Sequence, residues 1–233
     1  MSRLPPPRTR AILPALTRLH FKGVTEYLED LVTRIDVPFL EDIDITFFNQ
    51  LIFDILQLPK FLCRTEKFTV LDRADVVFYE DLIRIELPWR TGTNSAGLHL
   101  GISCKRLDWQ LSSLLQVCNS ALPTLSTLEH LNLGHNIHRL NLLPRQDEIE
   151  STQWPELLHP FTSVKNLHIL EKVAPCLAPA LQELTGECIT EVLPALQNIF
   201  VDGFGVSPLV EEAIGQFVAT RQLSGRPVAV HHW

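Results

Sequence analysis

The sequence predicts an α/β chain in which short parallel strands line one side and helices the other. Three observations predict this: an apolar motif with strand-like alternation that recurs along the chain, helical periodicity between its copies, and 39 leucines in 233 residues. Apolar residues make up 45% and charged residues 20%, which excludes a disordered acidic tail or a collagen-like fibre. The balance of 20 Lys and Arg against 27 Asp and Glu leaves −7 at pH 7, so a phosphate backbone is a poor main partner and no nucleic acid is expected. Residues 1–11 read as an N-terminal tail and residues 12–233 as a single domain.

The motif is apolar-x-x-apolar-x-x-apolar-x-apolar. It occurs as Leu13-Pro-Ala-Leu16-Thr-Arg-Leu19-His-Phe21, Val37-Pro-Phe-Leu40-Glu-Asp-Ile43-Asp-Ile45 and Leu125-Ser-Thr-Leu128-Glu-His-Leu131-Asn-Leu133. It recurs as Phe161-Thr-Ser-Val164-Lys-Asn-Leu167-His-Ile169 and Leu193-Pro-Ala-Leu196-Gln-Asn-Ile199-Phe-Val201, with a weaker copy from Phe68 to Val76. In so apolar a chain four such positions coincide by chance roughly three times, so spacing carries more weight than the motif alone. The copies begin at 13, 37, 68, 125, 161 and 193, and the step from 68 to 125 is long enough to hold two units.

Between copies the period changes to that of a helix. Val24, Leu28, Leu31, Val32 and Ile35 share one helical face, with Glu26, Glu29 and Asp30 expected outward. Leu51 to Leu56, Leu111 to Cys118 and Leu209 to Val218 repeat the arrangement, and Ser207 before Pro208 with Glu211 in the first turn marks a helix start. A strand followed by a helix, repeated, demands parallel strands, because a parallel crossover needs a dozen or more residues. That is the plan of an irregular leucine-rich-repeat solenoid, with strands on the concave face and helices outside. Leu131-Asn-Leu133-Gly-His-Asn136 fits the form in which an asparagine amide satisfies backbone groups at the turn. Val76 to Tyr79, Leu82 to Leu87 and Leu98 to Ile102 alternate like strands around the turn-rich 91–97 segment, which predicts a β-hairpin insertion near 76–102. The 139–153 segment has no periodicity and reads as an adaptable loop.

Strand alternation puts the residues between the motif's last two apolar positions, and those just before them, on the open sheet face. The candidate protein-binding surface is therefore Arg18, His20, Asp42, Asp44, Asn132, Asn166, His168, Asn198 and Phe200. Asp42 and Asp44, with Glu41 nearby, suggest an acidic patch, and Phe200 is either covered by the last helix or a contact anchor. No catalytic or metal residues are assigned and no cofactor is expected. His130, His135 and His138 form a spaced histidine set without a Cys or carboxylate to complete it, and they supply the alternative of a hydrolase or metal-dependent enzyme. His231 and His232 read as a solvated chain end. Cys104 and Cys118 near His99 lack an orienting third group, and Asp202-Gly-Phe-Gly205 reads as a strand-to-helix turn lacking the third glycine and the lysine of nucleotide loops.

Five cysteines (Cys63, Cys104, Cys118, Cys176, Cys188), scattered and without C-x-x-C spacing, read as reduced core residues. Arg8, Arg10, Arg18 and His20 interrupt every early apolar stretch, so no export signal is read. No run of about 18 apolar residues occurs, so no membrane partner is expected and the chain is placed in the cytoplasm or nucleus.

The series Trp154-Pro-Glu-Leu157-Leu158-His-Pro160-Phe161-Thr-Ser-Val164-Lys-Asn-Leu167, Ala178-Pro-Ala-Leu181-Gln-Glu-Leu184 and Leu193-Pro-Ala-Leu196-Gln-Asn-Ile199 resembles the leucine-rich C-terminal part of the F-box protein family expanded in mushroom-forming (basidiomycete) fungi. The stretch Phe217-Val-Ala-Thr-Arg221-Gln-Leu-Ser-Gly225-Arg-Pro227-Val is similar too, and the likeness spans residues 12–233. The resemblance implies a substrate-recognition part of an SCF-type ubiquitin ligase receptor, binding an unknown protein target through its repeat surface. An F-box needs some 40 residues of helix-forming sequence upstream, whereas Met1 to Arg10 carries Pro5-Pro6-Pro7. The expectation is thus a module without its F-box, for which a Skp-type adaptor is a partner only if an F-box is supplied upstream. The alternative is an F-box-less decoy or fragment binding the same targets.

Overall fold

The computed structural model describes residues 10–48, 50, 52–65, 68, 71–79, 81–88, 96–104, 107–135, 153–170, 173–183, 192–202 and 207–232. It is a mixed α/β chain with one large, mostly parallel sheet. The strands are β1 (Ala11–Ile12), β2 (Arg18–Gly23), β3 (Ile35–Asp36), β4 (Asp42–Phe48), β5 (Arg73–Phe78), β6 (Leu82–Pro88), β7 (Gly97–Ser103), β8 (His130–His135), β9 (Asn166–Leu170), β10 (Asn198–Asp202) and β11 (Ala229–His232). The helices are α1 (Thr25–Arg34), α2 (Leu58–Leu62), α3 (Leu107–Ala121), α4 (Gln153–Leu158), α5 (Ala174–Glu183) and α6 (Pro208–Leu223). Nine strands form the sheet in the order β11-β10-β9-β8-β5-β6-β7-β4-β2, and β1 and β3 pair apart from it.

All six copies of the motif end in a strand of this sheet, and the reason is local. In five copies the amide of the second apolar residue donates to the carbonyl of the first, closing one tight turn: Leu16 to Leu13 at 3.2 Å, Leu40 to Val37 at 3.3 Å, Leu128 to Leu125 at 3.4 Å, Val164 to Phe161 at 3.4 Å and Leu196 to Leu193 at 3.1 Å. The next residue then offers its carbonyl to two amides of the neighbouring copy. Thr17 accepts from Glu41 and Asp42, Asp72 from Glu129 and His130, Glu129 from Lys165 and Asn166, and Lys165 from Gln197 and Asn198. This recurring bond sets the register, so Leu131, Leu167 and Ile199 lie abreast, as do Leu133, Ile169 and Val201. These apolar side chains are buried, and with those of the facing helices they form one core cluster.

The expected hairpin is present but is no insertion. Strands β5, β6 and β7 form an antiparallel meander inside the sheet, β7 pairing parallel with β4 and β5 parallel with β8. The Tyr79 amide donates to the Leu82 carbonyl at 2.8 Å, a connection too short for anything but an antiparallel return. Because the meander runs backwards across the sheet, the chain must pass from β7 over β6 and β5 to reach β8, and α3, packed on β6 and β7, lies in that crossing. The long step from 68 to 125 therefore holds a meander and a crossover helix, not two further units. A β-carbon at Gly97 would overlap the Leu87 carbonyl oxygen, so close pairing of β6 and β7 requires glycine there.

Helices α1, α3 and α6 occupy the segments expected from periodicity, and Ser207 precedes Pro208 at the start of α6. The end of α6 is closed by Gly225 at φ +76, with the Arg226 amide donating to the Arg221 carbonyl at 2.9 Å and the Gly225 amide to that of Gln222 at 3.1 Å. Two expectations are corrected. The 52–56 segment is not helical, burying Phe53 and Ile55 at every second residue, and the helix starts only at Leu58. Glu29, expected outward, is 4% exposed. Its carboxylate accepts the amides of Leu56, Gln57 and Leu58 at 2.9, 2.7 and 2.9 Å, which satisfies the start of α2. Arg64 returns the favour at the end of α1, donating to the carbonyls of Val32 at 3.0 Å and Ile35 at 3.4 Å. Of the cysteines, Cys118 is buried, Cys104 and Cys176 are half-buried and Cys63 is exposed; all four are free thiols, and Cys188 lies outside the described residues. No helix among the described residues is long and apolar enough to cross a membrane.

Candidate functional site

The two sheet faces differ sharply. The core face is packed against the helices, while most side chains of the opposite face keep intermediate exposure. All nine candidate residues lie on this open face, as alternation requires. Register aligns Arg18 with Asp42, His20 with Asp44, Asn132 with His168, Asn166 with Asn198, and His168 with Phe200. A single row crosses every strand of the sheet: His20, Asp44, His99, Glu86, Asp75, Asn132, His168, Phe200 and His231.

The meander divides this surface into two parts. On the β2 side, Asp44 lies 3.3 Å from the His20 Nδ1 and 3.4 Å from an Arg84 nitrogen, and Asp42 lies 3.6 Å from the His99 Nε2. Arg84 also stands 4.0 Å from Glu86. Asp42 and Asp44 are thus no bare acidic patch, because the meander brings Arg84 and His99 against them. Glu41 is exposed beside them.

On the β11 side two ladders run at right angles to the strands. The amide of Asn198 donates to the Asn166 carbonyl oxygen at 2.9 Å, with the Asn166 amide 3.4 Å from His130 Nδ1 and His231 Nε2 3.3 Å from the Asn198 oxygen. Beside it, the ring of Phe200 stacks between those of His168 at 4.4 Å and His231 at 4.7 Å, nearly parallel to both. These separations match the spacing of adjacent strands, so register alone builds the stack. Phe200 is half-buried by its two imidazole neighbours on the open face. Next to the stack, Arg73 holds Asp75 at 2.9 Å, and Asn132 donates to the same carboxylate. A hollow of about 460 Å³ opens here, lined by Asp72, Arg73, His130, Asn132, His168, Leu170 and Asp202. His168 is pushed below the ordinary imidazole range, first by partial burial, then by His130 and Arg73, with Asp75 opposing.

The enzyme candidates are not brought together. Cys118 is enclosed in the core and burial pushes its thiol up to about 12, leaving it protonated at neutral pH. His130 engages the asparagine ladder and His135 ends β8. Among the described residues no group of three or more His, Cys, Asp or Glu is placed to hold a metal ion. Asn136, His138, most of the 139–153 segment and residues 203–206, on which the loop and turn expectations fall, lie outside the described residues.

Sequence reasoning missed His99, Arg84 and Glu86, whose alternation in β6 and β7 was legible but whose strands were set apart as an insertion, and Arg73 and Asp75, which lie in the weaker motif copy from Phe68 to Val76. It also missed His231. The terminal residues read as solvated, and His231 and His232 are exposed, but their place in β11 was missed, for which the alternation of Val228 and Val230 was the available signal. No family model, no curated protein and no solved structure matches this chain.

Proposed function

We propose that this chain is a non-enzymatic protein-binding module, a leucine-rich-repeat-type solenoid that holds a partner protein on its open sheet face. The observation that carries the reading is the row of eight polar side chains and Phe200 crossing all nine strands on one face, buried only at His99, while the other face is packed against helices. The identical turn and carbonyl bonds in successive motif copies support the repeat assignment. Register fixes the ladders in the folded chain, so a partner meets a surface whose side chains are already ordered, which lowers the entropy cost of association. Within this class, the resemblance to F-box proteins points to the substrate-recognition part of an SCF-type receptor, to which a Skp-type adaptor comes only through an F-box supplied upstream.

The test is capture from extracts of the native source with two variants of equal thermal stability to the parent. Asn166→Arg with Phe200→Asp on the open face should lose the captured protein, and Gln182→Arg on the exposed side of α5 should retain it. Retention by the first and loss by the second contradicts the assignment of the face. Captured proteins that are substrates of ubiquitylation support the receptor reading; targets bound with no dependence on ubiquitylation favour a decoy.

A further inference from the structure

The nine-stranded sheet ends on one side at β2, which pairs only with β4. The first motif copy, which β2 completes, is the one whose apolar positions stay partly uncovered. Leu13 is 38% exposed and Leu16, Leu19 and Phe21 are half-buried, whereas the matching Val37, Leu40, Ile43 and Ile45 of the second copy are at most 3% exposed. On its other face β2 carries Arg18, His20 and Lys22, all exposed. His20 lies against Asp44, while Arg18 and Lys22 have no ion-pair partner among the described residues; Asp42, beside Arg18 in register, engages His99. The backbone has a free side too. The Thr17 carbonyl accepts from Glu41 and Asp42, and strand residues alternate in the direction of their backbone groups, so the N–H and C=O groups of Arg18, His20 and Lys22 point away from β4 to the open edge.

We propose that this edge is a docking strand: an extended segment of a partner protein, with carboxylates at alternate positions and apolar residues between them, adds to β2 as a further strand. The inference goes beyond the open-face reading, because the edge binds through backbone pairing and its test does not pass through capture on the face. Three observations select the occupant. Unpaired N–H and C=O groups along one edge take an extended backbone. The cations of Arg18 and Lys22, about 13 Å apart along the strand, call for carboxylates opposite them. Leu19 and Phe21, half-buried on the core side, call for apolar residues in between. The chain itself holds a segment of this kind. On its paired side β2 meets Asp42-Ile43-Asp44-Ile45, with Arg18 opposite Asp42, Leu19 opposite Ile43, His20 opposite Asp44 and Phe21 opposite Ile45. The same side chains are available to a strand on the free side. A second copy does not fit, since β2 against β2 sets cation opposite cation, and β11 at the other end of the sheet offers Ala229 and His231 on that face and no carboxylate. Residues 1–9 carry Arg3, Arg8, three consecutive prolines and no carboxylate, which match neither the charges nor the ladder.

The experiment is an amide NMR titration of the full chain with acetylated, amidated peptides. The first has the sequence of residues 41–47, Glu-Asp-Ile-Asp-Ile-Thr-Phe. The second replaces both aspartates by lysine, and the third keeps the composition of the first in an order without alternation. The first should give saturable shifts at β2 and slow the hydrogen exchange of the Arg18, His20 and Lys22 amides, which face the open edge in the free chain, while β7 is undisturbed. The second and third should bind about fivefold or more weaker, as expected when two screened charge pairs are reversed or misplaced. In the Arg18→Glu, Lys22→Glu chain the preference should invert, the lysine peptide binding tighter than the acidic one, at an unchanged melting midpoint. Should that variant melt lower, the peptide series on the parent chain decides. Absence of saturable shifts, equal binding of the lysine or reordered peptide, or the three amides still exchanging fast at saturation overturns the proposal. So do shifts in β7 that mark displacement of β4, or an oligothymidylate that binds the same amides as tightly as the acidic peptide and marks a polyanion site. Asn166→Arg with Phe200→Asp changes β9 and β10 at the far end of the sheet, so capture by that variant judges the open face and the peptide titration judges the edge.

Discussion

Removing the Glu29 carboxylate should destabilise the fold by about 3 kcal/mol. Three amides that start α2 converge on its two oxygens at 2.7 to 2.9 Å, at a position 4% exposed. A hydrogen bond to a charged group contributes about 1.5 to 3 kcal/mol net, and losing the acceptor leaves several donors to find water at a packed junction. The bonds share one carboxylate and act as a unit, so the loss is well under their sum. For a chain of this size each kcal/mol moves the midpoint by about 2 to 4 °C, so Glu29→Ala should melt roughly 6 to 12 °C lower. Glu29→Gln keeps one carbonyl oxygen and should lose about half as much, while Glu26→Ala, exposed on the same helix, should stay within about 0.5 kcal/mol. Urea titration followed by tryptophan fluorescence, with thermal circular dichroism, measures all three. A Glu29→Ala variant within about 1 kcal/mol of the parent refutes the reasoning that this carboxylate joins α1 to α2.

Arg64→Met should cost about 1 to 2 kcal/mol in the same urea assay, since it strips the carbonyls of Val32 and Ile35 of their guanidinium donor. His168 should titrate below 6.5 by imidazole NMR. Its folded-state value is lowered, so its contribution to stability is full above the ordinary imidazole range and is lost as pH falls through the folded value; a midpoint at or above 6.5 contradicts the burial assigned to it. With the native chain at pH 8, iodoacetamide should label the exposed Cys63 readily and leave Cys118 unlabelled until the fold is opened by urea, as peptide mass spectrometry will show.

What the sequence revealed and what it hid divide along physical lines. Strand positions were legible because burial on one face imposes a period of two, and Leu131-x-Leu133 or Ile199-x-Val201 leaves no other reading. The nine open-face candidates followed from the same alternation. The hairpin itself was legible, but alternation leaves no mark of which strands pair, so the incorporation of β5, β6 and β7 into the main sheet was hidden, and with it the meeting of Asp42 and Asp44 with His99 and Arg84. Glu29 was hidden because a carboxylate on a helix reads as solvated unless its backbone partners, nearly thirty residues away, are known. The 52–56 segment was misread for a different reason. Its buried residues are Phe53 and Ile55, a period of two, but the run of Leu51 to Leu56, apolar except for Asp54, suggested a helix.

The most direct test of the binding face is site-specific photo-crosslinking in the native cell. A photoreactive residue replaces Phe200 or His20 on the open face in one pair of chains, and Gln216 or Glu212 on the exposed side of α6 in another. The account predicts one shared protein adduct from the first pair and none from the second. Adducts that form from the α6 positions, with the open face silent, contradict it.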